Sequence, residues 1–397
     1  VEAIVRELLD LLVRWTHVIA GIMWIGNSLL FNWLDRNLKP EDPPKDLSFG
    51  KIWLLHSGAF YEVEKKLLAP NQMPSQKVHW FMFQNLTTWL SGIGLLILVY
   101  YMGDAAYMID PAVAQLSPMA AIAIGIGVLV GGWLVYDLIW RSPLAKNTPL
   151  AFAFSLVLLF GLTYALTRVL SGRGAYIHIG AMLGTLMTAN VWFYVVPSQR
   201  GLVAATLAGL PQDPALSYRA KQRSIHNNYM TFPVLFVMIS SHYPSTYGHQ
   251  LNWLILALLM VGSAAVRHFM NIRFTYANWL RGAVAAGLLA IAVVFGLLVQ
   301  ARGAIGSSGT PVAFAEARGI IERRCVFCHS AKPLDQRFPA PPAGLMLTTP
   351  EQIVSRLDKM RLQVSTNVMP LANKTNMTTE ERALLIRWID EGAHTDR

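Results

Sequence analysis

Charge is scarce in this sequence. Only 14% of its 397 residues are Asp, Glu, Lys or Arg, where a soluble globular chain carries roughly 25%. With 54% hydrophobic residues and a mean hydropathy of +0.39, that shortage excludes an ordinary soluble enzyme. Cysteine is nearly absent, with two residues in the whole chain, which excludes a disulfide scaffold and a four-cysteine zinc site. A cleavable signal peptide is also missing, so the first apolar segment is expected to act as the insertion signal. Because the chain opens on Val, an initiator Met or a few residues are expected ahead of it.

What the sequence has instead is long uncharged runs. Residues 15–34, 78–103, 111–136, 147–167, 174–199 and 282–301 contain no Asp, Glu, Lys or Arg. Each approaches or exceeds the ~20 residues that carry a helix across a bilayer. A seventh run, 224–266, is too long for one crossing, and the polar stretch 241–249 divides it in two. Eight spans are therefore expected. From about Pro311 the chain turns charged and Pro-rich, behind a Gly/Ser-rich stretch at 303–309. The expected fold class is all-α. A polytopic bundle of eight transmembrane helices occupies 1–302, with a cytoplasmic loop at 35–77 and a linker at 303–311. A small all-α domain follows at 312–397.

The loops carry an orientation signal. Lys and Arg number sixteen in segments 36–77, 141–146, 200–223 and 267–281, against four on the opposite side. Positive residues favour the cytoplasmic side, so both chain ends are expected outside, in the periplasm if the cell is Gram-negative. The net charge of +10 does not imply a nucleic-acid partner, because the positive residues lie between the spans and form no patch. The proline-punctuated loop 36–77 is expected to fold over the cytoplasmic face.

Both cysteines sit in Cys325-Val-Phe-Cys328-His329, the C-x-x-C-H attachment signature of c-type haem. Two thiols at this spacing add to the two vinyl groups of one porphyrin, and the next residue, His329, lies under the iron as axial ligand. Attachment takes place outside the cytoplasm, in agreement with the charge count. The expected second axial ligand is Met369, in Val368-Met-Pro370, with Met377, Met360 and Met346 as competitors. His/Met ligation raises the potential and suits an electron acceptor. The run 379–389 reads as an amphipathic helix started near Thr379 and stopped by Gly392, packing across an earlier helix at about 312–324.

Five histidines fall in or at the edge of the runs: His17, His79, His178, His226 and His268. Ligand-capable residues at membrane depth are functional candidates. Their order suggests a duplication of spans 1–4 in spans 5–8, which would face His17 toward His178 and His79 toward His226. Paired imidazoles of that kind hold b-type haem. The alternative for each histidine is a hydrogen-bonded group joining two helices. Polar residues also gather toward the cytoplasmic side: Gln84, Asn85, Asn190, Asn227, Asn228, Arg267, His268 and Asn271. Amides with one Arg suit a small, planar, polar anion, and His226 or His268 would activate a water. For Arg267 the alternative is snorkelling to the surface.

Taken together, Arg14-Trp-Thr-His-Val-Ile-Ala-Gly-Ile-Met-Trp-Ile-Gly-Asn27, Leu55-His-Ser-Gly-Ala-Phe-Tyr61, the C-x-x-C-H motif, Met369-Pro370 and Met377-Thr-Thr-Glu-Glu-Arg382 carry a resemblance over essentially the whole chain. It is to bacterial membrane-bound urate oxidases of the PuuD type, with a C-terminal cytochrome c domain. The resemblance implies oxidation of urate to 5-hydroxyisourate in purine breakdown. Electrons would leave through haem c to a respiratory acceptor or terminal oxidase. It also implies a place in the bacterial inner membrane. Span one is similar to the haem-binding first helix of small membrane proteins of the protoporphyrinogen-oxidase type, which favours His17 as a ligand. Three other readings stay open: a quinol or other donor:cytochrome c oxidoreductase, a transporter with a tethered haem sensor, and an electron-transfer module whose substrate site lies on another subunit. The sequence leaves the oligomeric state open.

Overall fold

In a bilayer no water is available to satisfy the backbone, so an apolar run must close its hydrogen bonds within itself. The chain does so throughout. A computed structural model describes residues 2–42, 48–69, 71–72, 77–303, 311–335, 338 and 340–395. Its first helix, α1, is Glu2–Asn37, and α2, Phe83–Leu95, runs on through a π-helical turn to Tyr101. Next come α3 (Pro118–Arg141) and α4 (Thr148–Thr167). A long rod follows, made of α5 (Gly172–Asn190), a π-helical turn and α6 (Val196–Leu207). After it lie α7 (Pro214–Ser240), the short α8 (Pro244–Tyr247), α9 (Asn252–Asn271) and α10 (Trp279–Gly303). The sequence marks several of these starts. Ser117, Asn147, Ser171 and Asp213 each accept a backbone N–H at a helix entry, and Pro118 and Pro214 open their helices.

Seven of the described helices are long and apolar enough to cross a membrane. The sequence predicts eight spans, and the difference is α7. The polar break after Ser240 stands where expected, and α7 has 27 residues, but Arg219, Lys221, Arg223, His226, Asn227 and Asn228 lower its hydropathy. It is packed lengthwise between α5 and α9. A second departure lies in the loop after α1. That loop forms an antiparallel hairpin, β1 (Ser48–His56) with β2 (Ala59–Lys66), paired Trp53 to Glu62 and Leu55 to Phe60. It is tied back to the end of α1 by Lys65 and Asp35 at 2.6 Å. Trp53, Leu55 and Phe60 stand 64%, 70% and 73% exposed, so the hairpin's aromatic face is not folded onto the helices.

The bundle is organised around α5, of whose nineteen residues thirteen are buried. α2, α3, α4 and α7 pack on it, α9 packs on α7 and α4, and α1 and α10 flank α2 and α9 on the outside. Among the described elements, α2 and its π-helical turn make most of the contact with α1. The two halves differ in detail: α9 and α10 pack along their length, whereas α3 and α4 touch only briefly.

Beyond α10 a second apolar core forms. α11 (Phe314–Arg324) contributes Phe314, Ile320 and Ile321, and α14 (Thr379–Asp390) contributes Leu385, Ile386 and Trp388. Phe314 stacks on Trp388 at 5.7 Å between centroids, so the first and last helices of this region cross as the sequence suggests. The helix cap is Thr378, one residue before the expected Thr379. It forms a capping box with Glu381, and Gly392 follows the last turn at φ +101°. Two short helices, α12 (Pro350–Val354) and α13 (Leu357–Ser365), complete it.

The contact between α5 and α7 depends on Gly180, where a Cβ would lie 2.4 Å from Val237 Cγ1. Gly184, one turn on, has nothing within 4 Å. Gly180→Ala is expected to lower stability by about 1–3 kcal/mol, the usual cost of overpacking, and Gly184→Ala to leave it nearly unchanged. Thermal unfolding of both variants in one detergent checks this.

Candidate functional site

Helix α7 brings polar side chains to membrane depth, and two neighbours answer them on two faces. Toward α3 and α5, Arg223 is 2% exposed and donates to Asp137 at 3.0 Å. Tyr194 donates to the same carboxylate, and the Arg223 guanidinium lies 4.2 Å from the Tyr194 ring centroid. One turn on, Asn190 donates to Asn227 at 2.9 Å and to the Tyr136 hydroxyl at 3.0 Å. Tyr136 in turn lies 2.7 Å from His226 Nδ1, and Trp140 covers that imidazole at 4.1 Å. Asn85 links to Thr188 and Trp192, which extends the network to α2.

Toward α9 and α1 the set is different. Arg267, 4% exposed, donates to Asn228 at 3.1 Å, and Asn271 donates to the same Asn228 oxygen at 2.7 Å. Arg36, in the last turn of α1, reaches the carbonyl of Asn271. Arg267, Asn271 and Arg36 line a small half-open cleft of about 70 Å³ together with Asn32, Trp33, Arg273 and Phe274, and Asn228 stands behind it. The Asn228 amide nitrogen is buried and has no partner among the described residues. Three guanidiniums, two amides and two aromatic rings thus meet in one place.

The structure separates the three residues expected to act together. Arg267 lines the cleft and is buried, not snorkelled outward. His226 belongs to the Tyr136 network on the other face of α7, and His268 is exposed, stacked on Tyr229 with its Nδ1 2.8 Å from that hydroxyl. The expected histidine pairs are not assembled either. His79 lies in an exposed non-helical segment before α2, outside any span, and does not meet His226. His17 donates from Nδ1 to the Thr88 carbonyl at 2.9 Å, against Ser91 and Gly92 of α2. His178 is fully buried. It donates from Nδ1 to Gly174 O at 2.7 Å, and Nε2 meets Tyr101 OH at 3.2 Å, close to Gly125. Each of these two rings is a helix-joining group in its own setting.

Sequence reasoning missed Arg36, Arg273, Asn32, Tyr136, Tyr194 and the Asp137–Arg223 pair. A signal existed for the pair. Asp137 and Arg223 are charges directly bordering uncharged runs, one of each sign, although nothing in the sequence says that α3 faces α7.

In the C-terminal region, Cys325 caps the end of α11 and Cys328 follows in the next turn. Burial pushes the Cys325 thiol up to about 12. His329 donates from Nδ1 to Leu345 O at 3.0 Å, which fixes the ring and leaves Nε2 as the free nitrogen. Met360 and Met377 are buried in the apolar core, whereas Met369 is only half-buried, and its carbonyl accepts from Arg382 at 2.6 Å. Among the described residues no group of three His, Cys, Asp or Glu gathers as a protein-only metal cage would need.

An all-helical bundle whose least apolar helix is shielded on both sides defines a multi-pass membrane protein with a buried polar seam. Residues 3–297 match the family Urate oxidase N-terminal, and the chain belongs to that family. No individually curated protein and no solved structure matches it.

Two outcomes follow from this geometry. Asp137→Asn leaves the Arg223 charge buried without its counter-ion. It is expected to cost about 3–5 kcal/mol, read as earlier thermal unfolding in detergent, and more than Asp137→Asn combined with Arg223→Leu. In the C-terminal region, burial raises the Glu381 carboxyl, but the two-pronged bond from Arg324 (2.8 and 3.1 Å) and the Thr378 amide lower it further. Its folded value therefore lies below the unfolded one of about 4.3. The stability it contributes is present above that unfolded value and is lost as pH falls through the folded value. Acid unfolding of Glu381→Gln is expected to show a shallower pH dependence below about pH 4.3 than the parent.

Proposed function

We propose that this chain is a urate oxidase of the inner membrane that hydroxylates urate to 5-hydroxyisourate and passes the electrons to a haem c on its own C-terminal domain. The observation that carries the reading is the Urate oxidase N-terminal match, which spans the whole bundle. The C-x-x-C-H motif behind it supplies the electron exit. In this reading 1–302 is the substrate domain, 303–311 the linker and 312–397 the cytochrome c domain, held outside the cytoplasm with the N-terminus. A respiratory acceptor or terminal oxidase then takes the electrons.

Urate is planar and anionic, and the cleft between α1 and α9 offers what such a molecule needs. Arg267, Arg36 and Arg273 supply positive charge, Asn32 and Asn271 supply amides for its carbonyl and N–H edge, and Trp33 and Phe274 supply flat apolar surface. At about 70 Å³ the cleft takes one edge of the ring system, with the other edge toward its open side. Arg267 is already held by Asn228 from behind, which fixes its guanidinium at little entropic cost. Addition of water to urate releases two electrons and two protons. His268 follows Arg267 on α9 and is oriented by Tyr229, and in this reading it accepts a proton. His226 serves the Tyr136 network and keeps a structural part.

Cys325 and Cys328 would hold the haem by thioether bonds, and His329 and Met369 would ligate its iron. When bound, the haem supplies one-electron transfer. The chain's own part is orientation: Leu345 O fixes the His329 ring, and Arg382 fixes the backbone at Met369.

The test is anaerobic addition of urate to the purified, haem-loaded full chain. Growth of the ferrous absorption bands is expected, and bands that stay ferric overturn the reading. Arg267→Leu removes a charged hydrogen-bond donor worth about 1.5–3 kcal/mol. It is expected to lower kcat/KM for urate by roughly 10- to 150-fold, while ascorbate still reduces the haem.

A further inference from the structure

A cavity of about 170 Å³ opens where the C-terminal region meets the bundle. It stands apart from the Arg267 cleft: Asn252, which opens α9, lines the cavity, and Asn271, which closes α9, lines the cleft. A helix of that length spans roughly 30 Å. One wall is the loop after α13, with Thr366, Val368 and Leu371. The other is the bundle, with Tyr107 and Asp110 before α3, Arg168 and Arg173 on either side of the turn between α4 and α5, and Tyr247 at the end of α8. Two glycines bring these walls close. A Cβ on Gly172 would overlap the Tyr247 carbonyl, and one on Gly248 would overlap the Thr366 side chain.

Several polar groups in the walls are spent on holding them. Ser171 donates to Tyr107 O at 2.6 Å and accepts from Gly174 N at 2.9 Å. Asn252 donates to Tyr247 O at 2.9 Å and accepts from Trp253 N at 2.8 Å. Thr366 donates to Leu362 O at 2.6 Å. What remains is rich in donors. Arg173 donates from Nε to Tyr100 OH at 3.2 Å, and its guanidinium lies 4.1 Å from the Tyr107 ring centroid. Those contacts fix the group, while its terminal nitrogens donate to no described residue. Neither Arg168 nor Arg173 forms an ion pair among the described residues. Tyr247 is only 3% exposed, and its hydroxyl bonds to no described residue. The one carboxylate in the walls is Asp110, whose Oδ1 already accepts from Ala112 N at 2.9 Å.

We propose that this cavity is a binding site for a small planar organic carboxylate, its acid group on the Arg173 fork and the Tyr247 hydroxyl and its flat body against Val368 and Leu371. A carboxylate presents two acceptor oxygens in one plane and matches the terminal nitrogens of a guanidinium bidentately. Two guanidiniums against one acid leave the walls positive, and α5 begins there with the positive end of its dipole. The volume is below the ~300–1,000 Å³ of pockets for drug-sized molecules, so the occupant is a single ring with its acid group. Because the bundle and the loop containing Met369 both line the site, the occupant bridges them. The site does not rest on the function proposed above, which uses the other end of α9.

The probe is benzoate, with benzamide as its uncharged match, added to the purified, haem-loaded full chain in nanodiscs. Calorimetry reads affinity, and hydrogen exchange of 244–250 and 366–372 reads location. Benzoate is expected to bind saturably, at least about tenfold more tightly than benzamide. It is expected to slow exchange in both segments and to leave 267–274 unchanged. Tyr247→Phe, which removes one hydroxyl, is expected to weaken binding about 3- to 10-fold, and Arg173→Leu by at least about tenfold. The Tyr247 variant decides the site even where Arg173→Leu does not fold. No saturable binding to the parent, equal affinity for benzamide, or an affinity unaltered by Tyr247→Phe overturns the site. Protection at 267–274 in place of the two segments puts the probe in the Arg267 cleft and overturns it as well. Reduction of the haem by urate, measured in the same preparation without benzoate, decides the proposed function separately.

Discussion

A buried polar group at membrane depth must find its partner inside the protein, because lipid offers none. Helix α7 concentrates that constraint. It carries Arg223, His226, Asn227 and Asn228 within six consecutive positions, and the packing of the bundle follows from satisfying them. Asp137 on α3 answers Arg223, Asn190 on α5 answers Asn227, and Arg267 with Asn271 on α9 answers Asn228. The close approach at Gly180 brings α5 near enough for its share of these bonds. The apolar helices on the outside need only lipid and one neighbour, and α1 and α10 have little more.

The same constraint explains where chemistry is available. The α3–α5 face of α7 is cross-linked by the Arg223–Asp137 and Asn190–Asn227 bonds. On each face one buried nitrogen, Arg223 Nη1 or Asn228 Nδ2, has no partner among the described residues, and on the α9 face three guanidiniums also border one cleft. Of the three guanidiniums Arg267 is buried, Arg273 half-buried and Arg36 exposed, and the charge of the buried one is the least screened by water. The C-terminal region repeats the theme at smaller scale, since Arg382 spends its donors on the carbonyls of Val364 and Met369 and on the Asn373 amide oxygen.

Much of this architecture is legible in the sequence. Uncharged runs locate the membrane helices, the break at 241–249 separates α7 from α9, and C-x-x-C-H marks the start of a distinct region. The last helix falls within a residue of its expected start because capping chemistry is local. Helix α7 fails an apolarity criterion because its polar residues are matched by neighbours that hydropathy does not see. The hairpin after α1 is hidden by the prolines around it. The histidine pairing expected from a possible duplication is not found, because sequence order gives a residue's helix and depth but not which neighbour its helix turns toward. His17 turns to α2, and His178 to Gly125 and Tyr101. Arg36 goes unnoticed since a charge one turn beyond an apolar run reads as an ordinary boundary.

The low apolarity of α7 also bears on how such a chain is made. A translocon releases a segment sideways into lipid when its own side chains favour that exit, and arginines and asparagines do not. The partners that neutralise α7 come from both directions along the chain: α3 and α5 have already emerged, but α9 is still being synthesised. Insertion of α7 therefore cannot be an independent partitioning event. That helix has to wait beside its predecessors, half-matched, until α9 arrives to complete it.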